Sequence, residues 1–131
     1  MTGVERVLAI IEDDADLRWL LEEFARESGF QFHMYATYDE AFTGLLVHPV
    51  DAIVADGVGC GFVAPTESDR ARIAQLAAQA PTILHTARDW AHAPGVSASL
   101  GVEAVVPKPT DLDVLLRALE RIVGQSCSSR G

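Results

Sequence analysis

The stretch VLAIIEDD, residues 7–14, decides how the chain is read. Val7–Ile11 is apolar and β-favouring without polar alternation, as a strand covered on both faces requires. The run stops at three acids, Glu12, Asp13 and Asp14. Five apolar residues ending in acids make neither a signal peptide nor a membrane span. Beyond the acids, Leu17, Leu20, Leu21, Phe24 and Ala25 lie at offsets of 0, 3, 4, 7 and 8, a helical stripe that Gly29 stops.

The same unit then recurs along the chain. In Phe30–Tyr35, Phe30, Phe32 and Met34 alternate with Gln31, His33 and Tyr35, the pattern of an edge strand with one wetter face. Thr37 with Glu40 forms a capping box that opens a helix through Ala41, Phe42, Leu45 and Leu46, closed before Pro49. Val50–Ala55 is a third strand, interrupted only by Asp51. After the glycine-rich stretch GVGCGFVAP (57–65), a helix is expected from about Thr66 to Gln79, with Ile73, Leu76, Ala77 and Ala80 on one face. Pro81 introduces a fourth strand, Thr82–His85. Residues 90–100 are only weakly helical, because Pro94 and Gly95 interrupt them. A fifth strand, Val102–Val106, runs into Pro107-Lys108-Pro109. Thr110 caps the last helix, with Leu112, Leu115, Leu116, Leu119, Ile122 and Val123 at helical spacing. Five strands alternating with five helices through right-handed crossovers predict an α/β domain, a parallel sheet with helices on both faces.

The 131 residues make one domain, residues 1–124, and the small polar stretch 125–131 is expected to be a flexible tail or the start of a linker. Ten Lys and Arg against 19 Asp and Glu leave a net charge of −9, which argues against nucleic acid or an anionic membrane as partner. A hydrophobic fraction of 49% excludes a disordered acidic tail. Cys60 and Cys127 have no metal-ligand spacing and provide no disulfide framework, which fits a reducing compartment, by default the cytoplasm.

In a doubly wound parallel sheet, ligands bind beyond the carboxyl ends of the strands. Those ends carry Glu12-Asp13 after the first strand, Asp56 after the third, Thr86 after the fourth and Lys108 after the fifth. Carboxylates that converge repel unless a cation sits among them, and Mg²⁺, with its all-oxygen octahedral shell, is the economical choice. A metal, a lysine and a hydroxyl donor together suit a transferring phosphoryl group, whose charge must be neutralised on several oxygens at once. The nucleophile for such a group would be a carboxylate, giving an aspartyl phosphate.

In this ordered set the chain resembles the receiver domains of two-component response regulators, over about residues 5–124. That pattern is an acid pair after strand one, Asp after strand three, Ser or Thr after strand four and Lys-Pro after strand five, here Glu12-Asp13, Asp56, Thr86-Ala87 and Lys108-Pro109. The resemblance implies a flavodoxin-like (βα)5 sandwich with strand order 2-1-3-4-5. It implies that Asp56 accepts the phosphoryl group from the phosphohistidine of a sensor histidine kinase or phosphotransfer protein. Asp13 would ligate Mg²⁺ directly, Glu12 would hold a metal-bound water, and Asp56 with the backbone carbonyl of Val58 would complete the metal site. Lys108 would pair with Asp56 and then with its phosphoryl group, with a cis Lys108–Pro109 bond. Thr86 would swing in to bond a phosphoryl oxygen and so reshape the face of helix four, strand five and helix five, a face that offers a homodimer contact or a site for a downstream protein or output domain. Such a chain is a switch, not a turnover enzyme.

Two features depart from the pattern. The 57–69 stretch lacks the usual Met-Pro and Asp-Gly signatures, and Val105 and Thr110 stand where many receivers carry aromatic residues. These changes leave the chemistry intact and bear on the response to it. An alternative is therefore a degenerate receiver that docks partners independently of phosphorylation. A Mg²⁺-dependent phosphohydrolase on the same fold would need a further acid–base residue, and none is evident. Asp14 and Asp16 are read as helix N-terminal acids, not ligands. Gly57, Gly59 and Gly61 have G-x-G-x-G spacing after the third strand, which is wrong for a dinucleotide loop. His85 reads as a packed strand histidine, His33, His48 and His92 as scattered, and Trp19 and Trp90 as packing or partner contacts.

Overall fold

The computed structural model describes residues 6–56, 66–87, 89–108 and 112–130. The elements follow one another as β1 (Val7–Ile11), α1 (Ala15–Glu27), β2 (Gln31–Tyr35), α2 (Tyr38–Val47), β3 (Ala52–Asp56), α3 (Glu67–Ala77), β4 (Thr82–Thr86), a 3-10 turn (Asp89–His92), α4 (Val96–Leu100), β5 (Ala104–Pro107) and α5 (Leu112–Arg130). The five strands form one parallel sheet in the order β2-β1-β3-β4-β5. This is the doubly wound, flavodoxin-like architecture expected from the alternating runs.

Strand alternation divides the interior in two. Ala9, Ile11, Ile53, Ala55 and Leu84 face one way and pack against Tyr38, Ala41 and Leu45 of α2 and Ile73 and Leu76 of α3. Leu8, Ile10, Ala52, Val54, Ile83 and Val106 face the other way and pack against Leu21, Phe24 and Ala25 of α1 and Leu115, Leu119 and Ile122 of α5. The central strands are buried on both faces, which is why their sequences do not alternate. At one edge, β2 pairs only with β1 and is half-buried throughout after Gln31.

Local chemistry sets the element ends. Asp14 caps α1, its Oδ1 accepting from the Leu17 N–H at 3.0 Å, and Gly29 follows the helix with φ +84°, a conformation that favours glycine. Thr37 caps α2 by accepting from the Glu40 N–H at 3.1 Å, but Glu40 Oε1 reaches back to the Ala36 N–H, one residue further than the expected box. The full reciprocal box is at α3, between Thr66 and Asp69. Asp51, which interrupts the third apolar run, lies just before β3, and its Oδ2 accepts from the Val7 N–H at 2.9 Å. The weak segment 90–100 splits into the 3-10 turn and a five-residue α4, as Pro94 and Gly95 dictate.

Some expectations need correction. Leu20 and Leu46, assigned to buried stripes, are exposed, Leu46 to 82%. Tyr38 takes a core place instead, because Tyr38, Ala41 and Leu45 share a face at i, i+3 and i+7. The backbone of α5 is helical as far as Arg130. No proline follows Gly124, and a lone glycine costs a helix only about 1 kcal/mol, so an established helix propagates through it.

Leu84→Ala, in a fully buried position, should lower the unfolding free energy by about 2–5 kcal/mol, whereas Leu46→Ala should change it by about 0.5 kcal/mol or less. Urea denaturation followed by circular dichroism measures both. Equal losses would contradict the assignment of the core.

Candidate functional site

Parity along the strands assembles the site. Asp56 ends β3, on the side of the sheet that Ala52 and Val54 face, and His85 shares that side with Ile83. Glu12 lies one residue beyond β1 and Lys108 one beyond β5, in the same alternation as Ile10 and Val106. All four therefore gather at the carboxyl end of the sheet, on the face covered by α1 and α5. Glu12, Asp13 and Asp56 each offer a carboxylate oxygen within 4.8 Å of the others.

Lys108 ties this group together. Its Nζ donates to Glu12 Oε1 at 2.6 Å and to Asp56 Oδ1 at 3.0 Å, across sequence separations of 96 and 52 residues. The second Glu12 oxygen accepts from the Asp14 N–H at 3.3 Å. Glu12 is buried, Asp56 half-buried and Asp13 exposed, so the site opens to solvent on the Asp13 side.

One ammonium does not balance three carboxylates. Like charges about 5 Å apart repel by roughly 3 kcal/mol at an effective dielectric constant near 20. Burial pushes the Glu12 carboxyl above the usual carboxylate range, and the charge of Asp56 adds to this, against the lowering effect of Lys108. Burial also pulls on Lys108, but its hydrogen bonds and charge pairing with Glu12 and Asp56 outweigh it and hold the ammonium above its ordinary value. The lysine thus stays charged. The donor set is entirely hard oxygen, which fits a Mg²⁺ ion and supplies no soft ligand.

Thr86 stands on the neighbouring strand, buried, with the opposite parity to Asp56. Its carbonyl accepts from the Lys108 N–H at 3.1 Å and lies 3.0 Å from His92 Nε2, which joins β4 to the start of the β5–α5 connection and to the 3-10 turn. Asp14 and Asp16 serve α1, as cap and first-turn acid. Val58, Pro109 and Thr110 lie outside the described residues, as do Cys60 and the three glycines of the 57–61 stretch. Val105 is half-buried and packs on the α2–α3 side of the sheet.

Three features were not read from the sequence. His33 and His48 are not scattered but stacked, with ring centroids 4.6 Å apart. The Tyr38 hydroxyl donates to the Asp56 backbone carbonyl at 2.7 Å, a contact that only the start of the α2 stripe could have hinted at. His85 is packed in the strand as read, only 2% exposed, but both of its ring nitrogens lack a hydrogen-bond partner among the described residues. Burial, with a contribution from the Lys108 charge, lowers its pKa to about 4.

The geometry can be set beside known proteins. No family model matches the chain, and no curated protein matches it. Solved structures do. A response regulator receiver protein from Burkholderia phymatum is 22% identical, with a TM-score of 0.74 over 92% of this chain and 96% of that one. The non-phosphorylated HemR receiver domain from Leptospira biflexa is 25% identical, with a TM-score of 0.70 over 91% and 94%. The receiver domain of a sensor histidine kinase from Pseudomonas aeruginosa, 21% identical with a TM-score of 0.72 over 92% and 99%, has a magnesium ion coordinated in its active-site cleft. The chain has the receiver-domain fold. Among the described residues no helix is long and apolar enough to cross a membrane.

The buried imidazole makes stability depend on pH. In the unfolded chain it titrates near 6.5 and in the folded chain at about 4, so the unfolded state binds the extra proton between those values. The resulting stabilisation is present above pH 6.5 and is lost, to the extent of roughly 3 kcal/mol, as pH falls towards 4. His85→Leu should keep or raise the melting temperature at about pH 7, since it removes two unpartnered polar atoms at similar volume, and should flatten the fall in melting temperature towards about pH 5. Parallel pH profiles for the two proteins would contradict this.

Proposed function

We propose that the chain is a phosphorylation-dependent signalling switch in which Asp56 accepts a phosphoryl group from the phosphohistidine of a sensor histidine kinase or phosphotransfer protein. The observation that carries the reading is the Lys108 ammonium within hydrogen-bond distance of both Glu12 and Asp56 at the open carboxyl end of the sheet. The receiver fold of the structural neighbours supports it.

In the reaction, an Asp56 carboxylate oxygen attacks phosphorus, the P–N bond breaks, and the imidazole leaves with the bonding pair. The product is an acyl phosphate on Asp56. Lys108, already paired with Asp56, is placed to follow the transferred charge and bond a phosphoryl oxygen. The Thr86 hydroxyl would donate to another phosphoryl oxygen. Glu12, Asp13 and Asp56, with the Val58 carbonyl, would hold Mg²⁺, which when bound neutralises the carboxylates and an incoming phosphoryl oxygen together. Water attack at phosphorus would cleave the O–P bond and restore the Asp56 carboxylate, so the chain resets without acting as a turnover enzyme. The output is proposed to be contact with a downstream protein or output domain, or a homodimer through the α4–β5–α5 face, in the cytoplasm.

Intact mass after incubation with acetyl phosphate and Mg²⁺ tests this. One phosphoryl adduct is expected, lost in Asp56→Asn and on addition of EDTA. Lys108→Ala should slow its formation by about a hundredfold. No adduct on the folded protein, with a phosphoramidate donor as well, would overturn the switch reading and favour a phosphorylation-independent docking module.

A further inference from the structure

We infer that Tyr38 is a positioning residue for phosphoryl transfer, anchoring the backbone of the residue whose side chain reacts. The inference rests on Asp56 being the phosphoacceptor. Tyr38 is the first residue of α2 and is 2% exposed. Its ring meets Phe42 edge to face, with centroids 6.3 Å apart and planes at 80°, and packs among the residues that α2 and α3 bury against the sheet. Held there, its hydroxyl donates to the Asp56 carbonyl at 2.7 Å, a short contact across 18 residues.

A buried tyrosine hydroxyl ordinarily finds some acceptor, and a bond of this kind contributes about 1 kcal/mol to stability. What sets this bond apart is where it falls. The β1–β3 register ends at Ile11 and Ala55, so on that side the ladder stops one residue short of Asp56. On the other side Asp56 is the last residue of β3 in register with β4, opposite His85. Tyr38 therefore secures β3 from a third direction, at the residue where the strand ends.

The carbonyl and the reacting carboxylate share one Cα. With the strand before it held by the β4 ladder, fixing the Asp56 carbonyl fixes rotation about its Cα–C bond and so orients the Cα–Cβ bond, and the Lys108 contact at 3.0 Å then constrains the tip of the same side chain. Tyr38 holds the root of the nucleophile and Lys108 its end. In-line attack tolerates little error, since a misplacement of about 1 Å can cost a hundredfold in rate. Losing the anchor should therefore slow the chemical step without weakening capture of the phosphodonor.

The test compares wild type with Tyr38→Phe, which removes only the hydroxyl, by following adduct formation against acetyl phosphate concentration in Mg²⁺. The maximal rate should fall by about three- to tenfold while the half-saturating donor concentration stays the same. An unchanged maximal rate, or a loss carried wholly by the half-saturating concentration, would overturn the inference and leave Asp56 as phosphoacceptor. Absence of an adduct on wild type itself would overturn the phosphoacceptor reading and the inference with it. Should Tyr38→Phe not fold, ¹⁹F spectra of the chain carrying 3-fluorotyrosine at its two tyrosines decide the matter. With assignment by Tyr35→Phe, adding Mg²⁺ and beryllofluoride should shift the Tyr38 resonance. A Tyr38 resonance that stays in place would overturn the inference.

Discussion

The ammonium of Lys108 bridges two carboxylates delivered by neighbouring strands, Glu12 just beyond β1 and Asp56 at the end of β3. It lies against two of the three acids whose carboxylates converge on one opening. It holds Glu12 and Asp56 together, while burial, with a smaller contribution from the Asp56 charge, keeps the Glu12 carboxyl above its usual range. A cluster of carboxylate oxygens with a net negative charge suits a hard cation.

The fold exists to place those charges. The central strands are buried on both faces and pair with a neighbour on each side, which fixes their backbones. Polar side chains at their ends inherit that rigidity, and strand parity decides which of them meet. Glu12, Asp56, His85 and Lys108 belong to one parity class; Thr86 belongs to the other. Its carbonyl nevertheless bonds the Lys108 N–H, so a shift of the β4 end would be felt at the lysine.

Much of this was legible in the residues. VLAII could be read as a doubly covered strand because no polar residue breaks it, and the spacing of Leu112, Leu115, Leu119 and Ile122 marked α5 without ambiguity. The acids and the lysine were legible as strand-end residues in a fixed order, and the structure brings Glu12, Asp13, Asp56 and Lys108 together. Periodicity does not, however, say how wide a buried stripe is, which is why Leu46 was placed inside and Tyr38 was overlooked. Nor does it report partners. The His85 nitrogens, without a hydrogen-bond partner among the described residues, and the Tyr38–Asp56 bond depend on how two elements meet, which no local pattern encodes.

Binding of a hard divalent cation by Glu12, Asp13 and Asp56 is tested most directly by thermal unfolding with Mg²⁺, against Na⁺ at matched ionic strength. A ligand that binds only the folded state raises the melting temperature with its concentration. Mg²⁺ should raise it in wild type and have little effect in Asp13→Asn with Asp56→Asn. Identical melting curves in Mg²⁺ and Na⁺ for the wild-type chain would contradict the account.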